Sequence, residues 1–218
     1  MQAAKQTPPD AKARILAAAE ALFAEYGFDG AGMKQIAARA GVAQGLLHYH
    51  YDDKPGLYAA VVAHRSQMIN AARTAALDTV DLSSGRGLEA VLFALLRPTL
   101  GDEGGGTAYA RIFGSLAVGT ERDTALVEKH YDATARVFIS AIERTVPGIT
   151  RRDAAWGYSF AIGSLVTILG RTGRPERLAD EPNRLEDLDA VTTRLVTFLA
   201  AGMRQLGPKT NKTNREDN

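Results

Sequence analysis

The residues that decide the fold run from Met33 to Tyr51 and read MKQIAARAGVAQGLLHYHY. In the first half of this stretch the apolar residues recur at the intervals of three and four that mark one face of an α-helix: Met33, Ile36, Ala37 and Ala40. Gly41 then interrupts the pattern, and Val42 begins a second short helical unit. Two short helices joined by a glycine turn are typical of a helix-turn-helix, whose second helix enters the major groove of DNA. Since such corners also occur in unrelated helical domains, the spacing alone leaves the function open.

Helical spacing of apolar residues extends over the rest of the chain, and no segment shows the alternation of a half-buried strand. We therefore expect an all-α protein with about nine helices. Residues 1–53 are predicted to form a three-helix N-terminal domain and residues 54–208 a larger helical domain. Residues 209–218 contain no apolar side chain and are predicted to be a disordered tail.

Helix ends are predicted from capping and breaking residues. Asp53 is expected to cap the long fourth helix, and Gly56 to leave its first turn loose because glycine is a weak helix former. The pairs Thr120–Asp123 and Thr150–Asp153 have the spacing of a capping box. Two further features act as breakers: Pro98 is expected to end the fifth helix, and the charged, proline-containing residues 171–183 to form a long mobile loop.

The composition excludes several classes of protein. The chain has 218 residues, 26 basic and 25 acidic side chains, a net charge of +1 and no cysteine. Disulfide frameworks, thiolate metal sites and cysteine nucleophiles are therefore excluded, and the balanced charge is not that of a strongly basic nucleic-acid binder. Residues 154–170 carry no formal charge, but glycine, serine and threonine are spread through them, which favours a buried helix over a membrane span. Because no signal peptide is recognisable, we expect a cytoplasmic protein without a membrane partner.

A longer set of residues makes the helix-turn-helix specific. It comprises Gly27-Phe28, the turn Ile36-Ala37-x-x-Ala40-Gly41-Val42 and the run Gly45-x-Leu47-x-x-His50-Tyr51-x-x-Lys54. In this combination, over about residues 11–65, the chain resembles the N-terminal domain of the TetR family of bacterial transcriptional regulators. The remaining chain agrees with the family in length and helix count. The resemblance implies a ligand-responsive, DNA-binding repressor that binds a palindromic operator as a homodimer and is released by a small-molecule effector.

The resemblance also implies roles for single residues. Base edges are expected to be contacted by Lys34, Gln44, Gly45, Leu46 and His48. Phosphates are expected to be contacted by Met33, Tyr49, His50 and Lys54. The amide of Gln44 can pair with N6 and N7 of an adenine, and Lys54 adds its charge to the free amides of a helix N-terminus. The sequence departs from the family in lacking Ser or Thr caps at Gly32 and Ala43, in His48 for a tyrosine and in Leu46 for a smaller residue.

For the larger domain the resemblance implies binding of an unknown effector and dimerisation. The expected pocket residues are large aromatic and polar side chains of the middle helices: Phe93, Arg97, Tyr109, Arg111, Phe113, His130, Tyr131, Phe138 and Trp156. The expected dimer residues belong to the last two long helices: Gly157, Phe160, Ala161, Ser164, Ile168, Leu195, Phe198, Leu199 and Met203. Small residues there allow two helices to approach closely, as in a four-helix bundle across a two-fold axis.

A second class of function stays open, namely a helical small-molecule binding protein or enzyme with a vestigial DNA-reading domain. Residues 85–90, GRGLEA, match a dinucleotide-binding fingerprint, but no strand is predicted before them. His48 and His50 are two residues apart, so a helix would point them in different directions, which disfavours a metal site. No catalytic residue, metal ligand or cofactor is predicted.

Overall fold

The computed structural model describes residues 10–170, 172–181 and 187–207, and these residues form α-helices, one short 3₁₀ helix and connecting turns without any strand. The all-α prediction is therefore confirmed. In chain order the helices are α1 (Ala11–Gly30), α2 (Met33–Ala40), α3 (Gln44–Tyr51), α4 (Lys54–Asp78), α5 (Gly87–Leu100), α6 (Gly106–Val118), α7 (Glu121–His130), α8 (Asp132–Thr145), α9 (Arg151–Leu169), α10 (Arg174–Leu178) and α11 (Leu188–Leu206), with the 3₁₀ helix Asp102–Gly104 between α5 and α6. The predicted tail, residues 209–218, lies outside the described residues.

The described part of the chain has eleven α-helices, so the expectation of about nine is wrong in two places. One predicted helix is divided into α7 and α8 at Tyr131, whose backbone leaves helical geometry while its ring turns into the core. The short α10 lies within the predicted loop over 171–183. A third difference concerns α5, which continues through Pro98 to Leu100 instead of ending at the proline. Pro98 removes one amide but is itself buried, so packing outweighs the loss.

The first three helices pack around one small core. Its fully buried side chains come from all three helices: Ile15, Leu22, Phe23, Ile36 and Leu47. Gly27, at a φ of 70°, breaks the course of α1, as expected of a glycine near a helix end. Gly41 takes the left-handed conformation between α2 and α3. Both glycines have backbone angles that disfavour other residues. The glycine at position 41 therefore specifies the turn that sets the orientation of α3 relative to α2.

The junction between α3 and α4 is tightly packed. The Asp53 carboxylate accepts a hydrogen bond from the Gly56 amide at 2.8 Å, which confirms the predicted cap. A Cβ atom at Gly56 would collide with the backbone carbonyl oxygen of Tyr51. The expectation that Gly56 loosens this turn is therefore wrong, because glycine is what allows α3 and α4 to approach each other here.

The predicted capping pairs later in the chain are also confirmed. Thr120 donates its amide and hydroxyl to the Asp123 carboxylate at 3.0 and 2.9 Å at the start of α7. The Thr150 hydroxyl oxygen accepts from the Asp153 amide at the start of α9.

The long helix α4 connects the small N-terminal core to the larger helical body. Its buried residues Leu57, Tyr58 and Val61 belong to the end near α3, whereas Ile69 and Arg73 lie in the larger body. There α4 packs on α5, and α5 is covered in turn by α8, α9 and α11. None of the described helices is long and apolar enough to cross a membrane.

Candidate nucleic-acid interface

The outward face of α3 is polar and exposed, whereas its inward face is held by Leu47, which is fully buried. Gln44, Gly45, His48 and Tyr49 are all exposed along the outward face. Tyr49 is the most conspicuous of them, because its side chain is 81% exposed. A tyrosine with this exposed fraction does not pack into the core of the protomer, and its side chain is available to contact a partner surface.

Two side chains of this face are held in place by hydrogen bonds. Nδ1 of His48 lies 2.7 Å from the carbonyl oxygen of Asp52, and Nε2 of His48 lies 3.5 Å from Nε2 of Gln44. Because a carbonyl oxygen only accepts, Nδ1 of His48 carries the hydrogen and its Nε2 can accept from the Gln44 amide. Gln44 is thereby oriented by His48 before any partner binds. Asp52 itself has a positive φ of 60° at the end of α3.

The other predicted DNA-contacting residues differ in exposure. Lys34 is exposed in the first turn of α2. Met33 and Leu46 are half-buried and pack against the core, so part of each side chain is withdrawn from the surface. His50 is half-buried, with its ring 5.1 Å from that of Tyr49. The predicted absence of side-chain caps at Gly32 and Ala43 is confirmed, although the Gln35 side chain accepts from the Gly32 amide at 3.0 Å.

The side chain of Lys54, at the start of α4, contacts the end of α1. Its ammonium donates to the carbonyl oxygen of Asp29 at 3.2 Å and lies 4.7 Å from the centre of the Phe28 ring. The guanidinium of Arg122, on α7, lies 3.7 Å from the centre of the same ring. Phe28 therefore contacts cations from both the start of α4 and the larger helical body.

The larger body contains a cavity of about 630 Å³, bounded by α4, α6, α7, α8 and α9. Its apolar lining includes Phe113, Leu116, Val127, Ile162 and Val166. Its polar lining includes Arg73, Tyr131 and Tyr158. This volume falls in the range of small-molecule sites.

Arg73 is 1% exposed, and burial lowers the pKa of its guanidinium. Nε donates to the carbonyl oxygen of Leu95 and Nη2 to Oγ1 of Thr99, both at 2.8 Å. The Tyr131 hydroxyl lies 2.6 Å from that of Tyr109, and burial raises the pKa of Tyr131 to about 12.

The prediction of the pocket residues is only partly matched by the cavity, which Phe113 and Tyr131 line. Tyr109 and Phe138 are fully buried in the core, and His130 is half-buried with its carbonyl oxygen bonded to Asn70. Phe93 and Trp156 are exposed, Arg97 pairs with Asp189, and Arg111 is an exposed side chain that reaches the Ala24 carbonyl oxygen. Helical spacing could not separate these cases, because it does not show which face of a helix meets a cavity. The sequence analysis also missed Arg73 and Tyr158 as residues that line the cavity. For Arg73 the reason is that a lone arginine on a helix is ordinarily taken as exposed.

The prediction of the dimer residues is likewise divided. Gly157, Ala161, Leu195, Leu199 and Met203 are buried within the protomer, and Gly157 of α9 packs directly against Met203 of α11 in the same chain. Ser164 and Ile168 are half-buried. Phe160 and Phe198 are exposed, by 54% and 72%, and Trp156 is 53% exposed beside Phe160. We call Trp156, Phe160 and Phe198 the aromatic patch.

A glycine-turned pair of short helices, an exposed polar face on the second of them and a separate helical body with a cavity together define a helix-turn-helix transcription regulator. Two family models match the chain: "Bacterial regulatory proteins, tetR family" over residues 15–61 and "Tetracyclin repressor-like, C-terminal domain" over residues 89–202. The chain belongs to the TetR family.

Similar proteins agree with this assignment. The transcriptional activator FasR of Mycolicibacterium smegmatis is 37% identical over 71 residues, 32% of each chain, and the regulator SrpR of Pseudomonas putida is 35% identical over 88 residues, 40% of this chain and 38% of SrpR. The chain thus matches about a third of the length of each of these relatives. Among solved structures, a TetR-like regulator from Rhodococcus superposes with a TM-score of 0.67 at 20% identity, over 91% of this chain and 98% of the other. The fatty acid degradation regulator FadR of Bacillus halodurans gives 0.65 at 16%, over 89% and 96%. These structures share the fold.

Proposed function

We propose that this chain is a homodimeric, cytoplasmic repressor that binds a two-fold symmetric DNA operator and leaves it when a small molecule enters the cavity. The observation that carries the proposal is the outward face of α3, where Gln44 is oriented by His48 next to the exposed Tyr49. In this proposal α3 enters the major groove, residues 1–53 form the DNA-reading domain, and the larger body binds the effector without catalysing a reaction.

The proposed DNA contacts divide into two groups. Gln44, Gly45, His48 and Lys34 would meet base edges, with Leu46 adding the exposed part of its side chain. Tyr49, His50 and Lys54 would contact phosphates. Met33 would also contact a phosphate, from its place as the first residue of α2. Gln44 is the strongest candidate for sequence reading because its amide offers a donor and an acceptor together.

The aromatic patch supports dimerisation through α9 and α11. Three large aromatic side chains, each more than half exposed, lie on the adjacent helices α9 and α11. Exposed apolar patches of this kind mark protein interfaces, and a symmetric dimer buries the same patch on both copies. We expect Phe160→Ser to shift the protein from dimer to monomer in sedimentation. Val137→Ser is the matched control, because Val137 is also about half exposed, at 51%, but lies on α8 and not on α9 or α11. A monomeric wild-type chain, or dissociation by the control alone, would contradict this interface.

Two contacts offer a route from the cavity to the DNA-reading domain. On one side Tyr131 lines the cavity and bonds to Tyr109, whose ring lies 5.9 Å from the guanidinium of Arg65. Arg65 in turn pairs with Glu20 of α1. On the other side α7, which also lines the cavity, holds Arg122 against Phe28. An effector that favours one arrangement of α6 and α7 would thereby change the angle between the two reading helices of the dimer.

The proposal is tested by fluorescence anisotropy with the DNA upstream of the chain's own coding region. We expect saturable binding that unrelated DNA competes poorly, and a relaxed preference at the base pair that Gln44 contacts in Gln44→Ala. Equal competition by unrelated DNA would instead favour a helical binding protein or enzyme with a vestigial reading domain. A reporter gene behind the same DNA distinguishes repression from activation, since deletion of a repressor raises expression.

A further inference from the structure

The deepest polar group of the cavity is a cation without an acidic partner. Arg73 is 1% exposed, and no carboxylate of the described residues forms an ion pair with it. A guanidinium has five N–H donors, and the described acceptors, the Leu95 carbonyl and the Thr99 hydroxyl, use two of them. An unpaired buried charge is costly, so its retention at a cavity wall requires a reason beyond packing.

The surroundings of Arg73 provide a second donor and an apolar chamber. The Tyr158 hydroxyl lines the same cavity and forms no hydrogen bond within the described residues. Burial raises the pKa of Tyr158 and the charge of Arg73 opposes that rise, so the two groups lie within electrostatic range. The remaining wall next to them is largely apolar, with Phe113, Leu116, Ile162 and Val166.

Two carboxylates also reach the cavity, and their positions differ from that of Arg73. Glu128 is exposed on α7, and Asp132 is half-buried and paired with Arg136 at 3.0 Å. Glu128 therefore belongs to the outer part of the cavity, where water screens its charge, whereas Asp132 lies within electrostatic range of the Tyr158 hydroxyl and has Arg136 as its own counter-charge. They do not neutralise the buried guanidinium.

We propose that the cavity takes an organic monocarboxylate, with its carboxylate on Arg73 and the Tyr158 hydroxyl and its apolar body against α6 and α9. An arginine fork matches a carboxylate in two parallel hydrogen bonds. A cavity of about 630 Å³ admits a ligand of the size of ordinary small-molecule effectors. The proposal deepens the effector response proposed above and rests on it for its regulatory meaning.

The position of Arg73 gives this ligand access to the reading domain. Arg73 lies on α4, nineteen residues after Lys54, or about 28 Å along the helix axis. A carboxylate bound to Arg73 would therefore contact the same rigid helix that begins beside α3. Its binding energy acts directly on the element that connects the two domains.

Isothermal titration calorimetry with matched probes tests the ligand class. Octanoate, decanoate and phenylacetate are the carboxylates, and 1-decanol and decylamine are the neutral and cationic controls for chain length. We expect at least one carboxylate to saturate one site per protomer, and decanoate to bind about tenfold or more tightly than the alcohol or the amine. Absence of binding by all three carboxylates, or equal or tighter binding of the alcohol or amine, would overturn the proposal.

Three variants locate the carboxylate. Arg73→Met should abolish the preference for decanoate over 1-decanol, Arg73→Lys should retain part of it, and Tyr158→Phe should weaken decanoate binding while leaving the alcohol unchanged. If Arg73→Met does not fold, the site of the carboxylate is still tested by comparing the preference for decanoate over 1-decanol in Tyr158→Phe and in the wild type. Retention of the full preference in Tyr158→Phe and in a folded Arg73→Met would overturn the assignment.

The same samples are then mixed with operator DNA. Decanoate binding that depends on Arg73 but leaves DNA affinity unchanged would support the ligand class and contradict the effector response. Release of DNA by the alcohol or amine, without a carboxylate preference, would support the effector response and contradict the ligand class.

Discussion

The guanidinium of Arg65 on α4 meets the carboxylate of Glu20 on α1 through three hydrogen bonds of 2.8, 2.9 and 3.1 Å. The side chains are only 16% and 11% exposed. Arg65 also donates to the carbonyl oxygen of Glu103, which lies in the 3₁₀ helix. Because α1 belongs to the small N-terminal core and α4 continues into the larger body, this ion pair connects the two parts of the chain.

Breaking this pair from one side should destabilise the fold. In Glu20→Gln the buried guanidinium loses its counter-charge, and we expect the free energy of unfolding in urea to fall by about 3 kcal/mol. Arg39→Met is the matched control. Arg39 on α2 pairs at 3.6 Å with Glu25, which lies on α1 like Glu20, and both side chains of this pair are about half exposed. The control should change stability by less than about 0.5 kcal/mol. Equal effects of the two variants would mean that the Arg65–Glu20 pair does not hold α1 to α4.

The α3–α4 junction should tolerate no side chain at Gly56. Gly56→Ala forces its methyl group against the Tyr51 carbonyl oxygen, so we expect a loss of about 2 kcal/mol or more of stability in thermal or urea unfolding. Gly45→Ala, in the first turn of α3, meets no atom within 4 Å and should be neutral or stabilising by up to about 1 kcal/mol. Since Gly45 lies on the outward face, its methyl group should nevertheless lower DNA affinity. A destabilised Gly45→Ala or an unaffected Gly56→Ala would contradict this geometry.

Gln44 and Lys54 should affect DNA binding differently. Gln44→Ala should change the preference at one base pair of each half-site, because it removes a bidentate base contact. Lys54→Met, which keeps an unbranched side chain of similar length but removes the charge, should weaken binding to all sequences and reduce the dependence on salt. Anisotropy titrations against single-base variants at several salt concentrations separate the two effects, and identical behaviour of both variants would refute the division of roles.

Acid should weaken the start of α7. Burial alone would raise the pKa of Asp123, but hydrogen bonds from Thr120 and Arg122 outweigh it and hold the pKa below the ordinary value of 3.8. A carboxyl group whose pKa is lowered by folding stabilises the protein above its unfolded pKa, and this contribution is lost as the pH falls through the folded pKa. Asp123→Asn should therefore be less stable than wild type at about pH 6, with the difference shrinking below about pH 4. A difference that is constant with pH, measured by thermal unfolding, would contradict the charge-based account.

The first three helices were predictable from sequence because their determinants are local. Gly41 and Asp53 each specify a turn or a cap by their own chemistry. The break at Tyr131 was not predictable, since no glycine or proline marks it and the cause is the burial of the tyrosine against Tyr109. Trp156 was predicted in a pocket and is exposed, because hydrophobicity alone does not show whether an aromatic residue faces the protomer core or the surface.

The central claim is that α3 reads a specific, symmetric DNA sequence in a dimer, and selection of bound duplexes from a random pool tests it most directly. We expect an enriched motif with two inverted half-sites whose centres are about one helical turn or a multiple of it apart. Residues 1–65 have seven basic and six acidic side chains, so the selected duplex should also show a modest dependence of affinity on salt. A pool without an enriched motif, bound as tightly as the starting DNA, would contradict the account.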